Sequence, residues 1–215
     1  MRVMCTGRID LSFILRAFSR GSDGVFIGGC RLGECNYTTH GNYYALRITH
    51  ICKRLMERIG LDPERLRIEF ISSGEGIRFA ELMNEFSATV RRLGPIGEGE
   101  GIDPQALDFR LRAAARIVPY VKLLERERFR VQLASREEYE RYFAGEEFGR
   151  LFDETVGSRL AMSQIVSLLE RGPMAVGEIA DALGLAPSEV SRHLGGSSRH
   201  GLIRYDEALK RYAAA

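Results

Sequence analysis

Three cysteines near the start of this 215-residue chain have the residue type and spacing for metal or redox chemistry. Cys5 follows a short apolar run at residues 3–4, Cys30 follows another at residues 25–29, and Cys35 ends the loop that begins after Cys30. If both runs are strands of one parallel sheet, their thiols emerge at its carboxyl edge, where open α/β sheets bind ligands. Thiolates that converge on one centre there would form a metal site.

Burial is the alternative for each of these thiols, because free cysteine is among the most buried residue types. The loop between Cys30 and Cys35 contains Gly33 and follows a predicted strand, an arrangement that exposes backbone N–H groups and favours ligation or redox use. Cys52 differs, because it shares the apolar face of Ile48 in a predicted helix. We therefore expect Cys52 to pack in the core, with ligation as the alternative.

Composition and charge predict a globular, cytoplasmic protein. With 45% hydrophobic residues, the chain can bury a substantial core. No apolar stretch approaches the roughly 20 residues that span a bilayer, and the start of the chain lacks the apolar region of a signal peptide. In a reducing compartment, four cysteines do not suggest a disulfide framework. The net charge of +2 is too small to imply a polyanionic partner.

Hydrophobic periodicity predicts alternating strands and helices over residues 1–95, which we expect to form one α/β domain. This order implies right-handed crossovers and a small open parallel sheet, with three loops at one edge. The expected elements up to Gly60 are a strand at 3–4, a helix capped by Asp10 and ended by Gly21, a strand at 25–29, and a helix from about Asn42 to Ile59 followed by Gly60. A strand at 66–71 follows, and then a helix that bears Phe79, Leu82, Met83, Phe86 and Val90 and stops at Gly94.

Residues 96–158 are predicted to be a linker and helical connector. The Gly- and Glu-rich segment 96–101 has no side chains that could anchor it in a core and is expected to be the linker. Helical periodicity follows from Asp103, and Pro119 should kink or split that helix.

A C-terminal all-α, winged-helix-like domain is expected over residues 159–215. Residues 176–183 predict a helix, Gly184 a turn, and residues 187–194 a second helix with Pro187 in its first turn. Residues 202–208 could form a hairpin wing. The pattern resembles small bacterial winged-helix regulators and is typical of a fold more than of a function.

DNA binding would require base-reading side chains on the second of these helices and a basic footprint. Ser188, Ser191, Arg192 and His193 are the candidate base readers. However, residues 151–215 carry seven Lys and Arg against eight Asp and Glu, a net charge of −1. This charge favours protein docking or a structural role over DNA binding. DNA binding is the alternative, because Arg192, Arg199 and Arg204 could contact phosphates.

Five separated motifs, in order, resemble the delta, iron-sulfur, subunit of methyl-viologen-reducing hydrogenases over about residues 2–95. The resemblance implies a small α/β domain with a [2Fe-2S] cluster that passes electrons between a hydrogenase or flavoprotein and the flavin subunit of a heterodisulfide-reductase-type complex. It also implies Cys5, Cys30 and Cys35 as cluster ligands. The motifs are MCTGRID (4–10), GVFIGGCRLGECNY (24–37), GNY (41–43), DPER (62–65) and GEGIRFAE (74–81).

The chain departs from that family in two places. Members usually carry a cysteine-rich segment before the first matching strand, whereas Cys5 here lies four residues after Met1. A four-thiolate cluster then needs a ligand from an upstream segment, from Cys52 or from a partner, unless this version has lost the cluster. Members also often have histidine after each loop cysteine, where this chain has Arg31 and Asn36.

The motifs predict a relay subunit rather than a self-sufficient enzyme, with no catalytic residues. The sequence contains no HExxH, no Ser-His-Asp arrangement and no GxGxxG that opens a helix. His40 and His50 are expected to be surface or loop-bracing residues, with His40 as a reserve ligand. The predicted function is electron transfer within a hydrogenase- or heterodisulfide-reductase-type complex, with flavin-containing and hydrogenase or other dehydrogenase subunits as partners. The alternative is a redox-responsive winged-helix DNA-binding regulator.

Overall fold

The computed structural model describes residues 2–37, 41–199 and 201–215. The chain divides into two compact units, residues 1–149 and residues 150–215. The first contains a small parallel sheet with helices, and the second is a winged helix. The structure therefore confirms the predicted fold class, while the expected boundaries at residues 95 and 158 remain a prediction. No helix in the described ranges has the length and apolar composition needed to cross a bilayer.

The described residues form ten α-helices and four β-strands, which are connected by turns and loops. The turns of note are 3-10 helical at Thr6–Arg8 and Pro63–Arg65 and π-helical at Asp153–Gly157. In chain order the elements are α1 (Leu11–Ser19), β1 (Val25–Gly29), α2 (Asn42–Arg58), β2 (Leu66–Phe70), α3 (Gly76–Leu93), α4 (Pro104–Arg116), α5 (Val118–Glu127), α6 (Arg136–Ala144), α7 (Glu146–Phe152), α8 (Ser158–Leu169), α9 (Val176–Leu183), α10 (Pro187–Arg199), β3 (Ile203–Asp206) and β4 (Arg211–Ala214).

The parallel sheet consists of β1 and β2, paired from Val25 opposite Leu66 to Gly29 opposite Phe70. The prediction of a strand at residues 3–4 was wrong, since the described residues contain no strand before β1. Two apolar residues are too few for a stable ladder, and the chain turns immediately afterwards, where Cys5 caps the 3-10 turn. The segment still reaches the carboxyl end of β1, because a Cβ atom at Gly29 would lie 2.9 Å from Cγ2 of Thr6.

Local sequence signals account for the helix ends near the sheet. The Asp10 side chain accepts a hydrogen bond from the backbone N–H of Ser12 at 2.9 Å, which caps α1 as predicted. Gly60 follows α2 with a φ of +81°, a conformation that favours glycine. The predicted split at Pro119 is also confirmed, since α4 ends at Arg116 and α5 begins at Val118.

The segment 96–101 is anchored, contrary to the expected flexible linker. Arg65 is fully buried, and its guanidinium donates to both carboxylate oxygens of Glu100, with Nη2 at 3.0 Å from Oε2. The same group donates to the carbonyl oxygens of Asp23 and Gly94, each at 2.9 Å. A buried guanidinium needs such partners, because an unpaired buried charge is costly. The segment is therefore held by an ion pair rather than by apolar side chains.

The second unit has the predicted winged-helix arrangement. Gly184 ends α9 in the left-handed conformation, with a φ of +66°, and α10 follows within three residues. The strands β3 and β4 pair antiparallel as the wing, with Ile203 opposite Ala214. The helices and the wing share one apolar core, formed by Ile165, Leu169, Ile179, Ala180, Val190, Leu194 and Ile203.

Candidate metal centre

Three cysteines line one cavity of about 660 Å³ in the first unit. Cys5 precedes the 3-10 turn, Cys30 directly follows β1, and Cys35 ends the next loop. The loop after β2 and the start of α3 complete the wall. The cavity thus lies at the carboxyl end of the parallel strands, the edge at which such sheets bind ligands.

The thiols of this group interact with one another, and they differ in their surroundings. Cys30 is exposed as a residue, but partial burial of its thiol raises the thiol's pKa. The hydrogen bond to Cys35 and the proximity of Cys5 raise this pKa further. Burial also acts to raise the pKa of Cys35, but the net pKa is lowered. The backbone N–H groups of Tyr37 and Asn42 donate to its sulfur and favour the thiolate. The thiols of Cys30 and Cys5 donate to the same sulfur and have a smaller effect in the same direction.

Asn42, the first residue of α2, holds the cysteine loop against that helix. Its side chain is fully buried, and Nδ2 donates to the carbonyl oxygens of Cys30 at 3.1 Å and Arg31 at 2.7 Å. Its Oδ1 accepts from the backbone N–H of Tyr43 at 2.9 Å. The sequence alone did not predict this role. The signal that could have indicated it is an asparagine directly after Gly41, at the start of a helix with a broad apolar face.

Glycines permit close approach of the backbone to the site. A Cβ atom at Gly41 would overlap Sγ of Cys35 and would lie 2.5 Å from the carbonyl oxygen of Tyr37. At Gly29, a Cβ atom would lie 2.9 Å from Cγ2 of Thr6. Both separations are shorter than real Cβ atoms show, so these two positions favour glycine for steric reasons.

An ion pair joins the two loops that flank the cavity. Arg31 Nε donates to Glu75 Oε2 at 3.0 Å, and Arg31 Nη2 also bonds to Glu75 Oε1. The backbone N–H of Ser72 donates to Glu75 Oε2 at 2.7 Å. The guanidinium and this N–H lower the pKa of the Glu75 carboxyl. Because both side chains are solvent-accessible, the pair contributes little to stability, but it orients the loop after β1 toward the loop after β2.

The donor set fits an iron-sulfur group in chemistry, although it is not a closed site. Three thiols are soft ligands, the backbone N–H of Gly7 donates to Cys5 Sγ at 3.4 Å, and the buried Oγ1 of Thr6 has no hydrogen-bond partner within the described residues. Across the described ranges, however, no three His, Cys, Asp or Glu side chains are positioned to hold a metal ion. The thiols of Cys5 and Cys30 both lie within hydrogen-bonding reach of the Cys35 sulfur, but the described residues do not form a closed metal site.

Apolar side chains surround the mouth of the cavity. Met4 is fully exposed, Tyr37 is 63% exposed and Phe79 is 49% exposed. Phe79 lies in the first turn of α3, where its ring meets the edge of Phe26 at a centroid distance of 6.4 Å and leaves one side open. Leu82 and Phe86, one and two turns later on the same helix, are buried.

Cys52 and His50 lie in α2 away from the cysteine cavity. Cys52 is fully buried, and burial raises the pKa of its thiol to about 12, so the structure places it in the core. The His50 ring stacks on Phe143 with a centroid distance of 5.2 Å, and burial lowers its pKa to about 4. His50, expected to be a surface or loop-bracing residue, is therefore half-buried, because Phe143, which is distant in sequence, covers one face of its ring. His40, the reserve ligand, lies outside the described residues.

The surface of α10 carries few groups that could recognise DNA. Ser188, Ser191 and Arg192 are exposed, as base readers must be. His193 is only 6% exposed, because it faces the core of the winged helix, so its assignment as a base reader was wrong. The side chain of Arg199 is outside the described part of the chain.

The fold and the cavity define a small α/β domain with a thiol-lined site, followed by a winged helix. Residues 1–94 match the sequence model of methyl-viologen-reducing hydrogenase, delta subunit. Residues 161–195 match that of the bacterial regulatory protein, arsR family.

Individual relatives match the same N-terminal stretch. An F420-non-reducing hydrogenase iron-sulfur subunit of Archaeoglobus profundus is 50% identical over 95 residues, which are 44% of this chain and 69% of that protein. The vhc iron-sulfur subunit of the F420-non-reducing hydrogenase of Methanococcus voltae is 44% identical over 95 residues, or 44% of this chain and 65% of that protein. A subunit of the ferredoxin:CoB-CoM heterodisulfide reductase of Methanosarcina mazei is 44% identical over 97 residues, or 45% of this chain and 12% of that protein.

This chain belongs to the methyl-viologen-reducing hydrogenase delta subunit family, as the resemblance of its five motifs indicated. It is thus related to subunits of hydrogenase and heterodisulfide reductase complexes, both of which are oxidoreductases.

Proposed function

We propose that this chain is an electron-transfer subunit of a hydrogenase- or heterodisulfide-reductase-type complex and that its cysteine cavity holds an iron-sulfur cluster of the [2Fe-2S] type. The carrying observation is that Cys5, Cys30 and Cys35 interact around one open cavity at the end of the parallel sheet. Relatives that match this stretch are named iron-sulfur subunits. When bound, the cluster would accept and release single electrons.

Each of the three cysteines has a distinct role as a ligand. Cys35 supplies a thiolate that forms more readily than that of Cys30, since the backbone N–H groups of Tyr37 and Asn42 favour its charged form. Cys30 is the exposed ligand of the three, and the Asn42 side chain holds its loop in place by donating to the carbonyl oxygens of Cys30 and Arg31. Cys5 brings a ligand from a different segment, which the N–H of Gly7 orients.

The fourth ligand comes from outside the described residues of this chain. The complete burial of Cys52 in the core and the high pKa of its thiol argue against Cys52 as that ligand. The open side of the cavity leaves room for such a ligand.

Partner subunits dock at the mouth of the cavity, where Met4, Tyr37 and Phe79 expose apolar surface. Electron transfer requires a close approach of donor and acceptor, and apolar contact at the rim would exclude water from it. In the Methanosarcina mazei relative, the matching stretch is 12% of a larger heterodisulfide reductase protein. We infer that the partners are a flavin-containing subunit of that type and a hydrogenase or other dehydrogenase subunit. The winged helix would then contact one of them.

Anaerobic purification tests this proposal directly. The chain is expressed with iron-sulfur assembly intact, and its iron and acid-labile sulfide are counted beside absorption and EPR spectra before and after reduction. We expect two irons per chain and a paramagnetic signal in the reduced state, as a [2Fe-2S] cluster requires. Protein that is folded but free of iron, both alone and after reconstitution with the partner subunits, would contradict the proposal.

A second candidate function is supported by the winged helix. The match of residues 161–195 to the arsR family and the geometry of α9, Gly184 and α10 are those of a DNA-binding module. In this function the cysteine cavity would sense redox state and the winged helix would bind DNA. Sequence-selective DNA binding that changes with oxidation would favour it over the first.

A further inference from the structure

Thr6 is one of the residues that line the cysteine cavity, and its buried hydroxyl lacks a hydrogen-bond partner within the described residues. The residue is 6% exposed, it directly follows Cys5, and its Oγ1 makes no hydrogen bond to any group in the described ranges. A buried hydroxyl without a hydrogen-bond partner is destabilising, because it has lost its hydrogen bonds to water. Such an atom at the wall of a ligand cavity indicates a group that it bonds when the cavity is filled.

The backbone around Thr6 holds this hydroxyl in place. The Thr6 carbonyl oxygen accepts from the N–H of Ile9 at 2.9 Å, which closes the 3-10 turn. On the other side, a Cβ atom at Gly29 would lie 2.9 Å from Cγ2 and 3.1 Å from Oγ1 of Thr6. Gly29 immediately precedes Cys30, so the hydroxyl lies between the segments that carry Cys5 and Cys30.

We propose that Thr6 Oγ1 donates a hydrogen bond to a sulfur of the group bound by Cys5, Cys30 and Cys35, and so raises the reduction potential of that group. The proposal rests on the proposed function. Thiolate and sulfide sulfurs are acceptors, so the hydroxyl must be the donor. Reduction adds negative charge, and a donor stabilises the reduced state more than the oxidised one. Thr6 is thus a positioning and tuning residue rather than a ligand.

The test compares Thr6→Val, which keeps the shape and removes the donor, with Thr6→Ser, which keeps the donor. The control is Thr49→Val, the same change at a buried threonine whose Oγ1 donates to the Ala45 carbonyl oxygen in α2 and which does not line the cysteine cavity. Each full-length variant is purified anaerobically and its iron is counted. Redox titration followed by EPR gives the midpoint potential, and resonance Raman in H₂O and D₂O reports hydrogen bonds to the iron-sulfur unit.

We expect wild-type iron content in all three variants. Thr6→Val should have a more negative midpoint potential and a smaller D₂O shift of the Fe–S stretching bands, whereas Thr6→Ser and Thr49→Val should match the wild type. If Thr6→Val folds poorly, Thr6→Ala removes the same donor with a smaller side chain.

Wild-type potential and a wild-type D₂O shift in the donor-free variant would overturn this inference while leaving the cluster assignment intact. An equal change in Thr49→Val would also overturn it, because the effect would then not depend on the cavity. If the wild-type protein holds no iron, the proposed function fails, and the inference fails with it. The iron count and the potential therefore separate the two failures.

Discussion

Gly41 and Cys35 are packed so closely that a Cβ atom at Gly41 would overlap Sγ of Cys35. The glycine immediately precedes α2, and the backbone N–H groups of Tyr37 and of Asn42, the first residue of that helix, lower the pKa of the Cys35 thiol against the raising effect of burial. Close approach and thiolate stabilisation therefore depend on the same few atoms. The sequence pairs them six residues apart, across a loop whose residues 38–40 lie outside the described ranges.

Replacing Gly41 by Ala should displace Cys35 and reduce metal uptake. The added methyl group overpacks the site at a cost of about 1–3 kcal/mol, and the sulfur must move away from the start of α2. We expect a several-fold loss of bound iron with little change in helix content. Iron analysis and far-UV circular dichroism of the purified variant check this.

The matched control is Gly74→Ala, in the loop after β2. A Cβ atom there meets no described atom within 4 Å, and Gly74 does not have a positive φ. Its iron content should equal that of the wild type. Equal losses in both variants would show that the contact with Cys35 is not the cause.

Cysteine replacements should separate the cavity from the core. Cys30→Ser or Cys35→Ser should remove most of the iron, because each takes a soft ligand from the proposed site. Cys52→Ser should keep the iron but lower the free energy of unfolding by about 1–3 kcal/mol, since it places a hydroxyl in an apolar core. Iron counts and chemical denaturation of the four proteins provide both quantities. Loss of iron from Cys52→Ser alone would refute this ligand assignment.

His50 should make the first unit less stable in mild acid. Burial lowers its pKa to about 4, from 6.5 in the unfolded chain. The unfolded state therefore binds the proton more tightly, and stability falls as the pH drops from about 6.5 to about 4, by at most about 3 kcal/mol. His50→Phe keeps the stack on Phe143 and removes the titration, so its free energy of unfolding should depend less on pH.

Denaturant unfolding of both proteins at about pH 7 and about pH 5 measures the difference. Burial is the main cause of a lowered pKa at His193 as well. Because His193 is present in both proteins, its contribution cancels and the comparison isolates His50. An identical pH dependence in the two proteins would show that His50 is protonated in the folded state at the same pH as in the unfolded chain.

The winged helix should bind duplex DNA weakly. With a net charge of −1 over residues 151–215, it can neutralise few phosphates, so we expect an affinity of roughly micromolar or weaker at physiological salt and no sequence preference. Fluorescence anisotropy with the full chain measures both. Arg192→Ala serves as the control for residual phosphate contact, because Arg192 is exposed on α10. Nanomolar, sequence-selective binding that Arg192→Ala weakens would instead support the regulator function.

Much of the local structure follows from short-range signals that the sequence carries by itself. The Asp10 cap, the Gly60 turn, the split before Pro119 and the helix-turn-helix around Gly184 each depend on residues within a few positions of one another. Backbone capping and fixed φ angles act over such distances, so composition and spacing are enough to predict them. The sequence also singled out three of the four cysteines as the candidates for chemistry.

Only the tertiary structure decided the features that depend on distant pairs. Glu100 anchors its segment through Arg65, 35 positions earlier, and His50 is covered by Phe143, 93 positions later. The absence of a strand at residues 3–4 and the unpartnered hydroxyl of Thr6 likewise depend on what lies beside them in space. Burial, ion pairing and stacking arise where separate segments meet, and a local pattern does not specify which segments those are.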